Sequence, residues 1–228
     1  RYPLVTGVQT CALPIWPFRR DGRAALIGTF LGDEHSGYVN SLVGVAAGRG
    51  TDYAYGKRHL LPFGEFVPPG FHGFMQLLDI PLGDQARGQS QAPFEVDGQR
   101  VRPLICYEDL FGEDFAAAML GPHSPTVLLN VNNLAWFGHS AAQAQHLQIS
   151  RMRALEFQRP MLRAGNTGIT ALVDHRGRVV QRLPEWREGT LDVRAEGRLG
   201  DTPYARWLGA AGLAPLWALR SEEHTSEL

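Results

Sequence analysis

Short apolar runs alternate with longer segments of helical spacing along the second half of the chain, and this alternation constrains the fold more than any other feature. Residues 101–105 and 126–131 are apolar runs of strand length. Residues 109–120 and 140–158 follow them with helical spacing, stopped by Gly121-Pro122 and by Pro160. Two further strands are expected at 168–174 and 179–183, joined by the turn His175-Arg176-Gly177. Upstream, residues 24–30, 38–45 and 53–55 read as three more strands. Strands alternating with helices define an α/β domain. In the 140–158 helix, Leu147, Met152 and Leu155 are predicted to share the buried face.

Composition agrees with a packed domain and removes several function classes. At 44% hydrophobic residues and a net charge of −1 over 228 residues, the chain has ample material for a core and is not a disordered segment. It also lacks the basic excess of a nucleic-acid binder. No run reaches the roughly 18 apolar residues that span a bilayer, although 207–219 is mostly apolar. Between residues 61 and 93 runs a proline-marked stretch rich in Phe, Leu and Met, of a length usually found in functional arms or lids.

Both ends read as foreign to the domain. Residues 5–15 resemble a translated sequencing adapter and 220–228 the same adapter from its reverse complement. Residues 1–15 and 220–228 are therefore expected to be artefact, with the domain at 16–206 and the start of a transmembrane helix at 207–219. Cys11 falls in the first of these ends, which leaves Cys106. One cysteine forms no internal disulfide, so cysteine usage says nothing of redox compartment.

A lone cysteine is more often a buried small residue than a nucleophile, so its surroundings must decide. Cys106 stands at the end of an apolar strand just before a helix, where α/β sheets place reactive groups. A helix N-terminus favours a thiolate and offers N–H groups to an oxyanion. Lys57, also at a strand end, is suited to stabilise both. Carboxylates at Glu65 and Glu108 are suited to move protons or to hold that lysine. Taken singly, Lys57 reads equally as a solvated cation, Glu65 as a turn cap, Tyr107 as core packing and Trp136 as pocket wall. His139 and His146 stand seven apart with no third ligand word, which favours structural roles.

Residues 55–60 carry the word Y-x-K-x-H-L, 59–68 H-L-x-P-F-G-E-x-V-P and 105–108 I-C-Y-E. Residues 128–138 carry L-L-N-x-x-N-x-A-W-F-G, 145–156 Q-H-x-Q-x-x-R-x-R-A-x-E and 200–206 G-x-T-P-Y-A-R. These words resemble the carbon–nitrogen hydrolase (nitrilase) superfamily, and within it the bacterial apolipoprotein N-acyltransferase branch. The resemblance implies a sandwich of two β-sheets flanked by helices, incomplete on its N-terminal side. It implies Cys106 as a nucleophile acylated as a thioester, Lys57 as the triad lysine and Glu65 as a further required glutamate. Tyr107, Glu108 and Trp136 match supporting positions. The implied reaction moves an acyl chain from a phospholipid donor to the amine of an apolipoprotein acceptor. It needs no metal or organic cofactor and no nucleic acid, and it runs at the periplasmic face of the bacterial inner membrane.

Two departures stand out. The superfamily's first triad glutamate lies in a W-P-E-type word, and none precedes Lys57; Asp33-Glu34 falls in a turn between strands. The block that often reads N-D-A-W-F-G-D has Leu134 and His139 in place of its acids. The polypeptide alone is therefore expected to be inactive. A soluble amidase or nitrilase, or a non-catalytic module, are the competing expectations.

Overall fold

A computed structural model describes residues 2–5, 24–46, 53–71, 73, 84–89, 92–214 and 217. Eleven strands are described: β1 (Tyr2–Val5), β2 (Ala24–Asp33), β3 (Gly37–Ala46), β4 (Tyr53–Gly56), β5 (Phe94–Val96), β6 (Gln99–Ile105), β7 (Val127–Asn132), β8 (Met161–Gly165), β9 (Ala171–Val173), β10 (Val179–Arg182) and β11 (Thr190–Val193). The α-helices are α1 (Gly112–Ala116), α2 (Ala142–Phe157) and α3 (Pro203–Ala211). Six strands form one sheet in the order β10-β9-β8-β7-β6-β5. The central β6-β7-β8 pairs run parallel and the flanking pairs antiparallel. Strands β2, β3 and β4 form an antiparallel sheet, and β1 pairs with β11. The remainder of 1–15 and all of 220–228 lie outside the described residues.

Parallel strands are buried on both faces, and here two different layers cover them. On β7, Val127 and Leu129 join Phe94 and Val101, against which Leu26 and Tyr53 of the three-stranded sheet pack. Leu42 and Tyr55 meet Ile105 in the same interlayer. Close approach of the sheets needs Gly44: a Cβ there would fall 2.6 Å from the Phe94 ring and 2.8 Å from Tyr53. The opposite face carries Leu104, Leu128 and Met161, packed on Phe115, Met119, Leu147, Phe157 and Leu208 of the helical layer. Each such fully buried side chain contributes about 1.5–3 kcal/mol by leaving water. The result is a sandwich of two sheets with helices outside the larger one.

Two local expectations are corrected. Residues 109–120 do not make one helix: a 3-10 turn (Cys106–Leu110), α1 and a second 3-10 turn (Ala117–Met119) replace it. Phe111 breaks the run with φ −98° and ψ 72°, and Gly121 (φ 81°) ends it as its sequence position predicts. In α2 the buried face carries Gln143, His146, Leu147, Ser150, Ala154 and Phe157, while Met152 and Leu155 are exposed. Half of that face is polar, so apolar spacing misread it. Of the expected membrane-helix start at 207–219, residues 207–211 belong to α3, while 215–216 and 218–219 lie outside the described residues. Thr202 Oγ1 caps α3 by accepting from the Ala205 N–H at 3.1 Å, Pro203 occupies its first turn and Gly212 (φ 55°) closes it. Among the described residues no helix is long and apolar enough to cross a membrane. Most of the apolar part of the 61–93 arm, residues 74–83, lies outside the described residues.

Candidate active site

Lys57 leaves the end of β4 with its backbone fixed on both sides. Its N–H donates to the Asn40 carbonyl at 2.7 Å, and its own carbonyl accepts from the Gly88 N–H at 2.7 Å. The second contact brings two backbones together so tightly that a Cβ on Gly88 would lie 2.1 Å from the Gly56 carbonyl carbon. The side chain is 1% exposed. A buried ammonium is tolerable only when paired, and Glu65 supplies the partner: Nζ donates to Oε1 at 2.7 Å and to Oε2 at 2.6 Å.

A tight turn delivers Glu65 to that position. The Gly64 and Glu65 N–H groups donate back to the Leu61 carbonyl, and Phe63 adopts a left-handed conformation (φ 61°). Glu65 Oε2 also accepts from the Leu61 N–H at 2.8 Å. The turn-cap and lysine-partner readings of Glu65 are therefore both satisfied by one carboxylate.

Cys106, the residue after β6, has a conformation rarely taken by a side-chain-bearing residue, with φ 54°. The chain turns there from β6 into the 3-10 turn, and the residue remains partly exposed. Burial pushes the thiol up from its ordinary value, while the Lys57 charge and the Tyr107 N–H oppose that rise. Glu65 and Asp109 push it further up by like charge. Lys57 and Glu65, eight residues apart, thus act together on Cys106, some forty residues further along the chain.

Glu108 has a different place from the one expected. It neither meets Lys57 nor faces an open site. Oε2 accepts from the Tyr55 hydroxyl and the Ile105 N–H, both at 2.8 Å. Oε1 accepts from the Arg58 and His59 N–H groups at 2.7 and 3.3 Å. The carboxylate ties the residues after Lys57 to the residue before Cys106. Tyr107 offers Cys106 its backbone N–H, and its ring packs edge-on against Phe111 at 5.0 Å. Trp136 lies in the 3-10 turn Ala135–Phe137, with its side chain outside the described part.

Beneath Cys106 lies a polar group in which His146 takes the structural role expected of it, while its partners Asp109, Ser150 and Arg163 were not singled out in the sequence. Asn130 Nδ2 donates to the Cys106 carbonyl at 2.8 Å, and His146 Nε2 lies 3.1 Å from the same oxygen. Asp109 and Arg163 are fully buried nearby. A histidine and a serine at four-residue spacing on the inner face of a helix, facing a strand arginine, is the signal that was available. His139 instead packs against Trp186, with ring centroids 3.9 Å apart and the planes tilted by 32°. As its spacing predicts, Asp33 sits in the β2–β3 turn, where the Ser36 and His35 N–H groups hold its carboxyl below the usual range.

A buried lysine–carboxylate pair acting on a cysteine at a strand-end bend, in a two-sheet sandwich, defines a carbon–nitrogen hydrolase. The family model described as carbon-nitrogen hydrolase matches residues 19–204, and the chain belongs to that family. Its relatives include the apolipoprotein N-acyltransferase of Verminephrobacter eiseniae, 51% identical over 97% of this chain and 47% of that protein. The enzyme of the same name from Ralstonia nicotianae is 51% identical over 87% of this chain and 39% of its own length. The chain thus spans under half the length of these relatives. Among solved structures, a carbon–nitrogen hydrolase superfamily protein of Xanthomonas campestris superposes with a TM-score of 0.59 at 22% identity, covering 95% of this chain and 76% of that one. A Nesterenkonia amidase of the nitrilase superfamily superposes at 0.58 and 18% identity, over 94% and 71% of the two chains. These two likenesses concern the fold.

Proposed function

We propose that this chain is the acyl-transferring domain of an apolipoprotein N-acyltransferase, with Cys106 as nucleophile. The observation that carries the reading is the Lys57–Glu65 pair acting on a strained, partly exposed cysteine, in a chain half-identical to enzymes of that name. In the first half-reaction Cys106 Sγ attacks the ester carbonyl of a phospholipid. Lys57 Nζ and backbone N–H groups stabilise the oxyanion. The tetrahedral centre collapses, the C–O bond breaks, and the lysophospholipid leaves with a proton. In the second, the N-terminal amine of a diacylglyceryl-cysteine lipoprotein attacks the thioester, the C–S bond breaks, and the amide and free thiol form.

Dividing the reaction in this way gives each step a modest barrier. The raised thiol pKa means that a base must remove the proton as attack begins. Glu65 is committed to Lys57 and Glu108 to backbone amides, so neither is that base. The 228 residues alone are expected to give no multiple turnover, and the reaction belongs at the periplasmic face of an inner membrane.

The test uses the longer protein that carries this domain, incubated with a phospholipid of labelled acyl chain. Acylation of Cys106 that hydroxylamine reverses, followed by label transfer to a diacylglyceryl-cysteinyl peptide, supports the proposal. Label on another residue, or hydrolysis of small amides with no transfer from lipid, overturns it.

A further inference from the structure

Behind the bend at Cys106 lies a buried polar cluster that the mechanism above does not use. It spans four elements: Asn130 on β7, His146 and Ser150 on α2, Arg163 on β8, and Asp109 from the 3-10 turn at its centre. His146 is the pivot. Arg163 Nη2 approaches its Nδ1 at 3.1 Å, and a guanidinium only donates. Nδ1 is therefore the acceptor, and Nε2 carries the proton. That N–H faces two oxygens, the Cys106 carbonyl at 3.1 Å and Asp109 Oδ1 at 3.0 Å. Ser150 donates to the other oxygen of Asp109, and Arg163 lies 3.5 Å from that carboxylate. Arg163 also donates to Ser150 and to the His146 carbonyl, which locks the helix to the strand.

The consequence concerns one peptide plane. The carbonyl of Cys106 and the N–H of Tyr107 belong to the same peptide and point in opposite directions. Two donors, Asn130 Nδ2 and His146 Nε2, grip the carbonyl from the helical side. The N–H is thereby aimed at the cysteine sulfur, where it acts on the thiol. Cys106 is left-handed at φ 54°, and such a residue relaxes unless its surroundings over-determine it. We infer that His146 and Asn130, braced by Asp109, Ser150 and Arg163, are positioning residues that hold the Cys106–Tyr107 peptide with its N–H on the reacting sulfur. The inference rests on Cys106 being the nucleophile.

The test is the rate of Cys106 alkylation by iodoacetamide across pH, followed on the Cys106 peptide by mass spectrometry in folded protein. The charged and titratable groups facing this sulfur are Lys57, Glu65, Asp109 and Arg163, and His146 reaches its carbonyl. Losing an amide hydrogen bond to a thiolate should slow alkylation about tenfold at neutral pH and move the profile to higher pH. His146→Ala is expected to do this. His146→Gln, which keeps an N–H of similar reach, is expected to stay within about threefold of the wild type, the residue of a partly restored bond. Asn130→Ala removes the second donor and repeats the test should His146→Ala fail to fold.

A role confined to stability would lower the melting temperature and leave the alkylation profile of the folded protein in place, and that result overturns the inference. So does equal slowing in His146→Ala and His146→Gln. If wild-type Cys106 reacts no faster than a free thiol of the same pKa while acylation is found elsewhere, the nucleophile assignment itself fails, which is a separate outcome.

Discussion

Glu108 accepts the Arg58 N–H at 2.7 Å across 50 residues of chain, and accepts the Ile105 N–H at 2.8 Å from only three residues away. One buried carboxylate thus joins the strand end that carries Lys57 to the strand end that carries Cys106. Four donors converge on its two oxygens, the Tyr55 hydroxyl and the His59 N–H completing the set. No cation is among them.

That arrangement predicts a stability effect larger than the isosteric change suggests. Glu108→Gln keeps one acceptor oxygen and turns an NH2 group toward donors. Hydrogen bonds to a charged acceptor contribute about 1.5–3 kcal/mol each, so unfolding free energy should fall by about 2–4 kcal/mol. Urea denaturation measures this, and a loss below about 0.5 kcal/mol, the range of ordinary surface substitutions, contradicts the clamp. If Cys106 is the nucleophile as proposed, acylation should fall with it, because the strand ends carrying Lys57 and Cys106 both move.

The left-handed backbone at Cys106 (φ 54°) predicts an ordering among inactive variants. Glycine adopts that conformation freely, whereas a residue with a Cβ is strained there by about 1 kcal/mol. Cys106→Gly should therefore be more stable than Cys106→Ala by about 1 kcal/mol, against the usual loss of backbone entropy. Cys106→Ser should keep the fold and form no thioester. Equal stability of the Gly and Ala variants removes the strain from the account.

A pH dependence follows from the same residue. Burial raises the Cys106 thiol above its ordinary value more than Lys57 and the Tyr107 amide lower it. The neutral thiol is thus favoured in the folded state. Its contribution to stability is complete below the unfolded value of about 8.5 and is lost as pH rises through the folded one. Wild-type protein should lose more stability than Cys106→Ser on going from about pH 8 to about pH 11, since the serine does not titrate there. Tyr53 and Tyr55, also raised by burial, titrate alike in both proteins and cancel in the comparison. Parallel curves for the two proteins would show that the thiol stays at its ordinary value.

Much of the architecture was legible because apolar runs report burial. The parallel strands around Leu128 and Leu104 are apolar on both faces, and their neighbours follow from Gly and Pro. Cys106, Lys57 and Glu65 were legible from their words and from the chemistry that such groups share. What escaped is polar and buried. Gln143 and Ser150 line the inner face of α2 beside His146, whose structural role alone was expected; a hydrophobic pattern cannot see them, and Asp109 and Arg163 satisfy His146 and Ser150 there. The break of the expected 109–120 helix has the same origin. Glu108 and Asp109 turn inward to backbone and side-chain partners, and Phe111 leaves helical geometry. Glu108 read as a proton carrier because sequence shows a carboxylate beside a nucleophile but not the amides that occupy it.

Lys57 and Glu65 supply the last prediction. Lys57 is 1% exposed and Glu65 14%, so removing either leaves a buried charge with its partner gone, and stability should fall by about 3–5 kcal/mol. A melt alone therefore says nothing about chemistry. The rate does: with Glu65→Gln the ammonium is held less firmly, and single-turnover acylation of Cys106 in the longer protein should slow at least about tenfold, roughly 1.4 kcal/mol of barrier. Lys57→Ala removes an oxyanion-stabilising cation outright and should slow acylation by about two to three orders of magnitude. Because Glu65 Oε2 also accepts the Leu61 N–H, Glu65→Gln retains part of the turn cap and folds well enough for the rate to be read. If that variant melts early yet acylates Cys106 at the wild-type rate, Glu65 serves the turn alone, and Lys57 acts on Cys106 without it.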